Sequence, residues 1–200
     1  MEKMNSFYRN KKILVTGATG FKGSWLCCWL LHMGAKVYGT GYSPNQNKNL
    51  FYKLKLNKKI KLGIFDIRDK KKLDKFVLKS KPSIIFHLAA QSRVQPSFKN
   101  PEESLRVNVL GTSKLLEWSR INNTKIIYAG SSSRHHSPSD SPYAMTKYLG
   151  EEICKLYRKS FKVNVQIARF YNVYGPFQLT EGGYTTLIGK WLNNIENNSV

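Results

Sequence analysis

Tyr143 and Lys147 stand four residues apart in a 200-residue chain, so a helix there would carry both on one face. A phenol with a pKa near ~10 is a poor base at neutral pH. A neighbouring ammonium favours the phenolate, which makes the pair a usable acid and base for the proton transfer that accompanies hydride transfer. Ser131, twelve residues before Tyr143, offers a hydroxyl that would hydrogen-bond the reacting carbinol or carbonyl oxygen. The spacing alone is not diagnostic, since Tyr8 and Lys12 share it ahead of the first predicted strand. Tyr143 differs in following a strand that runs toward Ser131, at the carboxyl edge of the sheet, where ligands of open α/β sheets bind. The competing reading is a structural pair on a helix face.

Positioning these groups takes a βαβ frame, and the sequence supplies one. Short β-branched runs alternate with longer amphipathic segments, the signature of a parallel sheet. Ile13-Leu14-Val15 predicts a first strand, and Phe21 to Met33 a helix ended by Gly34, a natural residue just past a helix end. Lys36 to Thr40 and Ile60 to Phe65 predict two more strands, with an ambiguous polar stretch, Tyr42 to Asn57, between them. Lys70 to Lys79 reads as a helix and Ser83 to Leu88 as a buried central strand. Asn100-Pro101-Glu102-Glu103 is a helix start, with an N-cap, a proline at the first position and acids in the first turn; that helix continues to about Arg120. Lys125 to Ala129 is a fifth strand. Ser141-Pro142 opens a helix to about Ser160, and Val163 to Phe170 is a sixth strand. The segment Met1 to Lys12 is polar and basic and is expected to run directly into the first strand. The fold class is therefore α/β, a doubly wound parallel sheet of the Rossmann type, spanning 1–176, with 177–200 as the start of something further.

Between the first strand and its helix lies Thr16-Gly17-Ala18-Thr19-Gly20-Phe21-Lys22-Gly23. Glycines at 17, 20 and 23 let the backbone turn tightly, approach a pyrophosphate and pack helix on strand. The helix N-terminus offers N–H groups and a positive dipole end to phosphates. The loop, with Gly17, Thr19, Gly20, Phe21, Lys22 and Gly23, is the expected dinucleotide-binding segment. An acid gripping the adenosine ribose is missing near Gly41 and Tyr42. Tyr42 and Ser43 leave room for a 2′-phosphate, but no Arg is placed to hold one, so NAD is favoured over NADP. Asp66 reads either as a cap on the adenine edge or as a loop aspartate that starts the next helix.

The formal charge of +21 invites a nucleic-acid reading. The basic residues are scattered, without a stripe interleaved with aromatics, so neither nucleic acid nor membrane is expected as a partner. Cys27, Cys28 and Cys154 show no metal-ligand spacing and read as reduced thiols, which suggests the cytoplasm. Met1 to Lys12, polar and basic, does not read as a signal peptide, and Trp25 to Leu31 is too short to span a bilayer.

Taken together, several motifs resemble the extended short-chain dehydrogenases/reductases of the NAD-dependent nucleotide-sugar epimerase/dehydratase family. They are Thr16 to Gly23, Phe65-Asp66-Ile67-Arg68-Asp69, His87-Leu88-Ala89-Ala90-Gln91, Asn108-Val109-Leu110-Gly111-Thr112, Ser131 with Tyr143 to Lys147, and Arg169 to Pro176. The resemblance implies that Asp66, Ile67, Leu88, Ala89 and Ala90 line the cofactor cleft. It also implies that Asn108 lies behind the active site, that Tyr143 and Lys147 reach the nicotinamide ribose, and that Gln91, Ser132, Ser133 and Asn172 meet the sugar nucleotide. Read without it, Asn108 is an ordinary helix-face residue, His87 a buried strand histidine and Asn172 a turn residue.

Phe21 to Leu26 and the Ala90-Gln91 region resemble CDP-glucose 4,6-dehydratases, whereas the later motifs resemble UDP-glucose 4-epimerase-like enzymes. Dehydratases of the family place an acid just after the catalytic Ser or Thr. Here Ser132 and Ser133 occupy those positions and cannot act as carboxylates. Glu151 and Glu152 lie beyond the turn that carries Lys147. The expectation is thus epimerisation through a transient keto-sugar, with dehydration or keto-sugar reduction as alternatives on the same scaffold. From another class, a non-catalytic dinucleotide- or nucleic-acid-binding module is the remaining alternative. His135 and His136 read as a solvated loop or as substrate contacts. Family members run well past residue 200 and are often dimers. A largely missing substrate domain, weak activity of the chain alone, and a homodimer are therefore expected.

Overall fold

In the computed structural model, residues 2–42, 50–135, 137–180 and 185–197 are described; Ser43 and His136 lie outside them. In chain order the elements are α1 (Glu2–Tyr8), β1 (Lys12–Thr16), α2 (Phe21–His32), β2 (Lys36–Gly41), α3 (Leu50–Lys53), β3 (Lys61–Ile64), α4 (Lys70–Ser80) and β4 (Ile84–His87). Then come α5 (Val94–Lys99), α6 (Pro101–Leu105), α7 (Gly111–Ile121), β5 (Lys125–Ser131), α8 (Pro142–Phe161), β6 (Val165–Phe170) and α9 (Leu187–Glu196).

All described strand pairings are parallel, in the order β3-β2-β1-β4-β5-β6. This is the doubly wound, Rossmann-type sheet. Strand order reverses between β1 and β4, where Thr16 stands opposite His87, and the carboxyl ends there frame a crevice. Alternation along β1 explains the two-faced core. Leu14 joins Leu73, Val77, Ile85, Leu115 and Ile126 on one face. Ile13 and Val15 join Cys27, Leu30, Val37 and Phe51 on the other.

Four departures from the sequence pattern have local causes. α1 forms where a direct run into β1 is expected, with Tyr8 packed against the core and Lys11 Nζ 3.2 Å from the Phe7 ring centroid. α5 was not expected; Ser97 Oγ donates to Val94 O at 2.6 Å and accepts from Tyr143 N at 3.1 Å, which staples this short helix to the start of α8. The expected continuous helix from Pro101 does begin at its Asn100 cap (Glu103 N to Asn100 Oδ1, 3.1 Å), but it passes through a π-helical turn, Arg106–Leu110. Finally, β6 starts at Val165 because Lys162, at φ 56°, ends α8 and Val163 N bonds back to Tyr157 O.

The described residues fall into two units, Met1–Phe170 and Tyr171–Val200. In the second, Thr186 Oγ1 caps α9 by accepting from Gly189 N at 3.1 Å. Among the described residues, no helix is long and apolar enough to cross a membrane.

One buried ion pair fastens α8 to β6. Glu151 is fully buried and accepts from Arg169 Nε at 3.1 Å and Nη2 at 2.9 Å. Arg169→Met strips that carboxylate of its guanidinium. It should cost about 3 kcal/mol, the lower end for a broken buried pair, because Arg169 keeps partial contact with water. Urea unfolding measures it, and the double variant Glu151→Gln/Arg169→Met should recover part of the loss.

Candidate active site

Gly17 sits at φ +69°, and a Cβ there would lie 2.9 Å from Ala89 N, so the end of β1 touches the end of β4 backbone to backbone. At Gly23 a Cβ would overlap Gly17 O and lie 2.8 Å from Ala18 Cα. Glycine at these two positions lets the first turn of α2 close onto β1. Gly20, the residue before α2, provides no side-chain cap, and the first turn holds no acid. The N–H groups of that turn lack acceptors within the helix, and the positive end of a twelve-residue helix is left for an anion. These features fit the diphosphate of a dinucleotide. Thr19 is buried against Gly41, Phe21 is half-buried, and Lys22 points its Nζ at the Phe170 ring.

Below the crevice runs a buried polar chain whose proton order can be derived. Thr112 Oγ1 donates to Asn108 O at 2.6 Å, so it accepts from His87 Nε2 at 3.0 Å. His87 Nδ1 then accepts from Thr16 Oγ1 at 2.8 Å, and Thr16 Oγ1 accepts from Ala89 N at 3.2 Å. His87 is neutral there: burial, with a contribution from Lys147, pushes its pKa down to about 3. Read from sequence as a buried strand histidine, it proves to be the link between β1, β4 and the π turn.

Asn108 sits inside that turn and is buried. Its Oδ1 accepts from Gln91 N at 2.7 Å, and its Nδ2 donates to Gln91 O at 3.0 Å and Thr146 Oγ1 at 2.9 Å. Thr146 Oγ1 donates in turn to Tyr143 O at 2.8 Å. Asn108 thereby fixes both the β4 loop and the stretch of α8 between Tyr143 and Lys147. π turns recur at functional sites for this reason: the extra residue re-aims one side chain.

Ser131 ends β5, and its Oγ accepts from Ser133 N at 3.2 Å. Burial raises the pKa of the Tyr143 phenol, while Ser131 and the charge of Arg93 pull it back in part. Lys147, reached through the Ser141 cap of α8 (Ala144 N to Ser141 Oγ, 3.1 Å), is buried. Its Nζ donates to Ala129 O at 2.9 Å and lies 5.2 Å from the Tyr128 ring centroid. Burial pulls its pKa down to about 7; Lys22 adds to this, and Cys154 and Glu151 oppose it. The cation bearing on Tyr143 is therefore Arg93, which the sequence reading did not single out. It stands at φ 145° ahead of α5, a backbone conformation rare outside glycine.

The remaining expected residues divide. Leu88, Ala89 and Ala90 line the crevice edge, half-buried. Asp66 is gripped by Arg68 through Nε (2.9 Å) and Nη2 (2.5 Å), while Asp69 caps α4, so of the two functions considered for Asp66 the helix start belongs to Asp69. Ile67 is a core side chain. Gln91 accepts from Ser104 Oγ at 3.0 Å and donates to Arg93 O at 3.4 Å, which holds the strained turn. Ser132 and Ser133 occupy a short 3-10 turn, Ser132–His135, directly after Ser131, and the buried Ser133 Oγ has no partner among the described residues. His135 is exposed on this turn, and Asn172 belongs to the second unit. No cluster of three metal-ligating side chains occurs among the described residues.

These burials predict how stability follows pH. The unfolded chain holds a proton on Lys147 up to its ordinary 10.5, whereas the folded chain releases it near 7. Stability of the cofactor-free protein should therefore rise between those values, and the penalty is complete below about 7. His87 acts with the same sign lower down, costing stability as pH falls from 6.5 toward 3. Chemical denaturation across pH checks this: Lys147→Met should flatten the alkaline limb and leave the acid one.

Residues 14–199 match the family model described as GDP-mannose 4,6 dehydratase. The chain is 36% identical over 171 residues to CDP-glucose 4,6-dehydratase of Salmonella typhimurium, covering 78% of this chain and 48% of that one. It superposes on the epimerase Mth375 of Methanothermobacter thermautotrophicus with a TM-score of 0.86 and 31% identity, over 98% of this chain and 61% of that one. For UDP-glucose 4-epimerase of Thermus thermophilus, solved as a complex with NAD, the TM-score is 0.75 at 27% identity, over 86% and 58%. The chain thus spans roughly half to three-fifths of the length of each.

Proposed function

Because the chain belongs to the GDP-mannose 4,6-dehydratase family of nucleotide-sugar epimerases and dehydratases, within the extended short-chain dehydrogenases/reductases, we propose that it is the cofactor-binding part of an NAD-dependent nucleotide-sugar epimerase. One observation carries the choice of reaction. The turn after Ser131 holds Ser132 and Ser133 and no carboxylate, so elimination of water lacks its acid there, while Ser131 and Tyr143 would serve oxidation and reduction.

NAD supplies a reversible hydride acceptor when bound. Gly17, Thr19, Gly20, Phe21, Gly23 and the backbone N–H of Lys22, at the α2 N-terminus, would hold its diphosphate, and Ala89 and Ala90 would flank it. Asp66 and Ile67 would meet the adenine edge. Lys147 would bond the ribose, and Asn108 would keep α8 in place. Tyr143, as phenolate, takes the hydroxyl proton as the sugar carbon is oxidised and returns it once the keto-sugar has presented its other face. Ser131 holds the reacting oxygen throughout. The Ser133 hydroxyl, with Ser132 and Gln91, would meet the sugar nucleotide. A cytoplasmic homodimer belongs to the same reading; Ile121, Leu156 and Phe161 expose apolar side chains on α7 and α8.

Dehydration is the second reading, supported by the likeness to the Salmonella dehydratase. Products formed by the full-length protein from a panel of CDP-, UDP-, dTDP- and GDP-sugars decide between them by NMR. An epimer is expected, and a 4-keto-6-deoxy sugar would overturn the assignment.

A further inference from the structure

Lys22 is the second residue of α2, in the turn that follows the glycine loop. Its Nζ lies 4.2 Å from the ring centroid of Phe170, the last residue of β6. Phe170 is the register partner of Ser131 in the parallel β5–β6 pairing. The side chain therefore crosses from the phosphate end of the crevice to the end that carries the acid/base groups. An aromatic face attracts a partly desolvated cation there. Two further effects agree with this placement: burial lowers the Lys22 pKa, and its charge reaches Lys147 strongly enough to depress that ammonium as well.

A cation fixed at this end acts unequally on the two redox states of a nicotinamide. The oxidised ring is positive and the reduced ring neutral, so like-charge repulsion falls on the oxidised form alone. We propose that Lys22 is a positioning charge for hydride affinity: held on Phe170 beside Ser131, it destabilises oxidised against reduced cofactor and so makes bound NAD a stronger acceptor. The balance is that of the oxidation itself. The sugar carbon loses a hydride to the ring, the C–H bond breaks, and the hydroxyl proton goes to Tyr143. This inference rests on the NAD reading above, since it presumes a nicotinamide at that end.

The test is the affinity of full-length protein for NAD⁺ and for NADH, each by calorimetry on cofactor-stripped protein. In Lys22→Met the ratio Kd(NAD⁺)/Kd(NADH) should fall about tenfold. Lys22→Gln should repeat the fall, and Lys22→Arg, which keeps the charge, should hold the ratio within about twofold. Equal weakening of both cofactors would make Lys22 a diphosphate ligand and overturn the proposal, as would an unmoved ratio. Wild-type protein that binds neither cofactor would overturn the NAD reading itself, and this inference with it.

Discussion

Replacing Tyr143 by Phe in the full-length protein should lower kcat by about 10²–10⁴-fold, the range of a lost general acid/base, while KM and fold stability change little. The hydroxyl is the only group removed, and Ser131 favours its ionised form. The backbone that carries it is held independently, by Ser97 at Tyr143 N and by Thr146 at Tyr143 O. Burial makes the phenolate scarcer at neutral pH than in free tyrosine, and Ser131 and Arg93 offset that only in part. The pH profile of kcat should consequently move to higher pH in Arg93→Met, which removes a charge favouring the phenolate. Steady-state kinetics over a pH series reads both effects. Unchanged kcat in Tyr143→Phe would return Tyr143 and Lys147 to the status of a helix-face pair.

Gly23→Ala should cost about 3 kcal/mol of stability, the upper end for overpacking, and weaken NAD binding about 100-fold, which is the same energy expressed as affinity. The new methyl would meet backbone, not a movable side chain: Gly17 O and Ala18 Cα, the latter at 2.8 Å. The first turn of α2 must then lift off β1, taking with it the N–H groups that face the diphosphate. Gly20→Ala is the internal comparison, because its nearest contact, Gly17 O at 3.3 Å, needs only a small shift. Thermal melts and calorimetry separate the two variants, and similar behaviour in both would show that close packing at position 23 is not what shapes the loop.

Much of this arrangement is legible in the sequence because it is local. The run Ile13-Leu14-Val15 is buried on both faces of the sheet, Gly34 takes its positive φ after α2, and Asn100 and Ser141 cap the helices that they precede. What escapes is set by contacts between distant segments. The helical pattern from Pro101 onward does not reveal the π turn, which exists because Asn108 bonds Gln91 and Thr146. Lys147 lies at the right spacing to assist Tyr143, yet its burial and its bond to Ala129 O are tertiary facts. Arg93 carries no local mark either. Its strained φ is held by Gln91 and by the docking of α5, a helix that the sequence pattern around Pro96 does not announce. The signal available was positional: a cation just past His87-Leu88-Ala89-Ala90-Gln91, at the carboxyl edge of the sheet.

In the proposed reaction a hydride leaves the sugar and comes back within one active site made by Ser131, Tyr143 and Lys147. The direct measurement is the fate of deuterium placed on the carbon that inverts, followed by NMR and mass spectrometry in ordinary water with full-length protein. The label should remain on that same carbon in the epimer, with none released to solvent. Washout of deuterium into water would mean proton abstraction instead of hydride transfer, and would contradict the account.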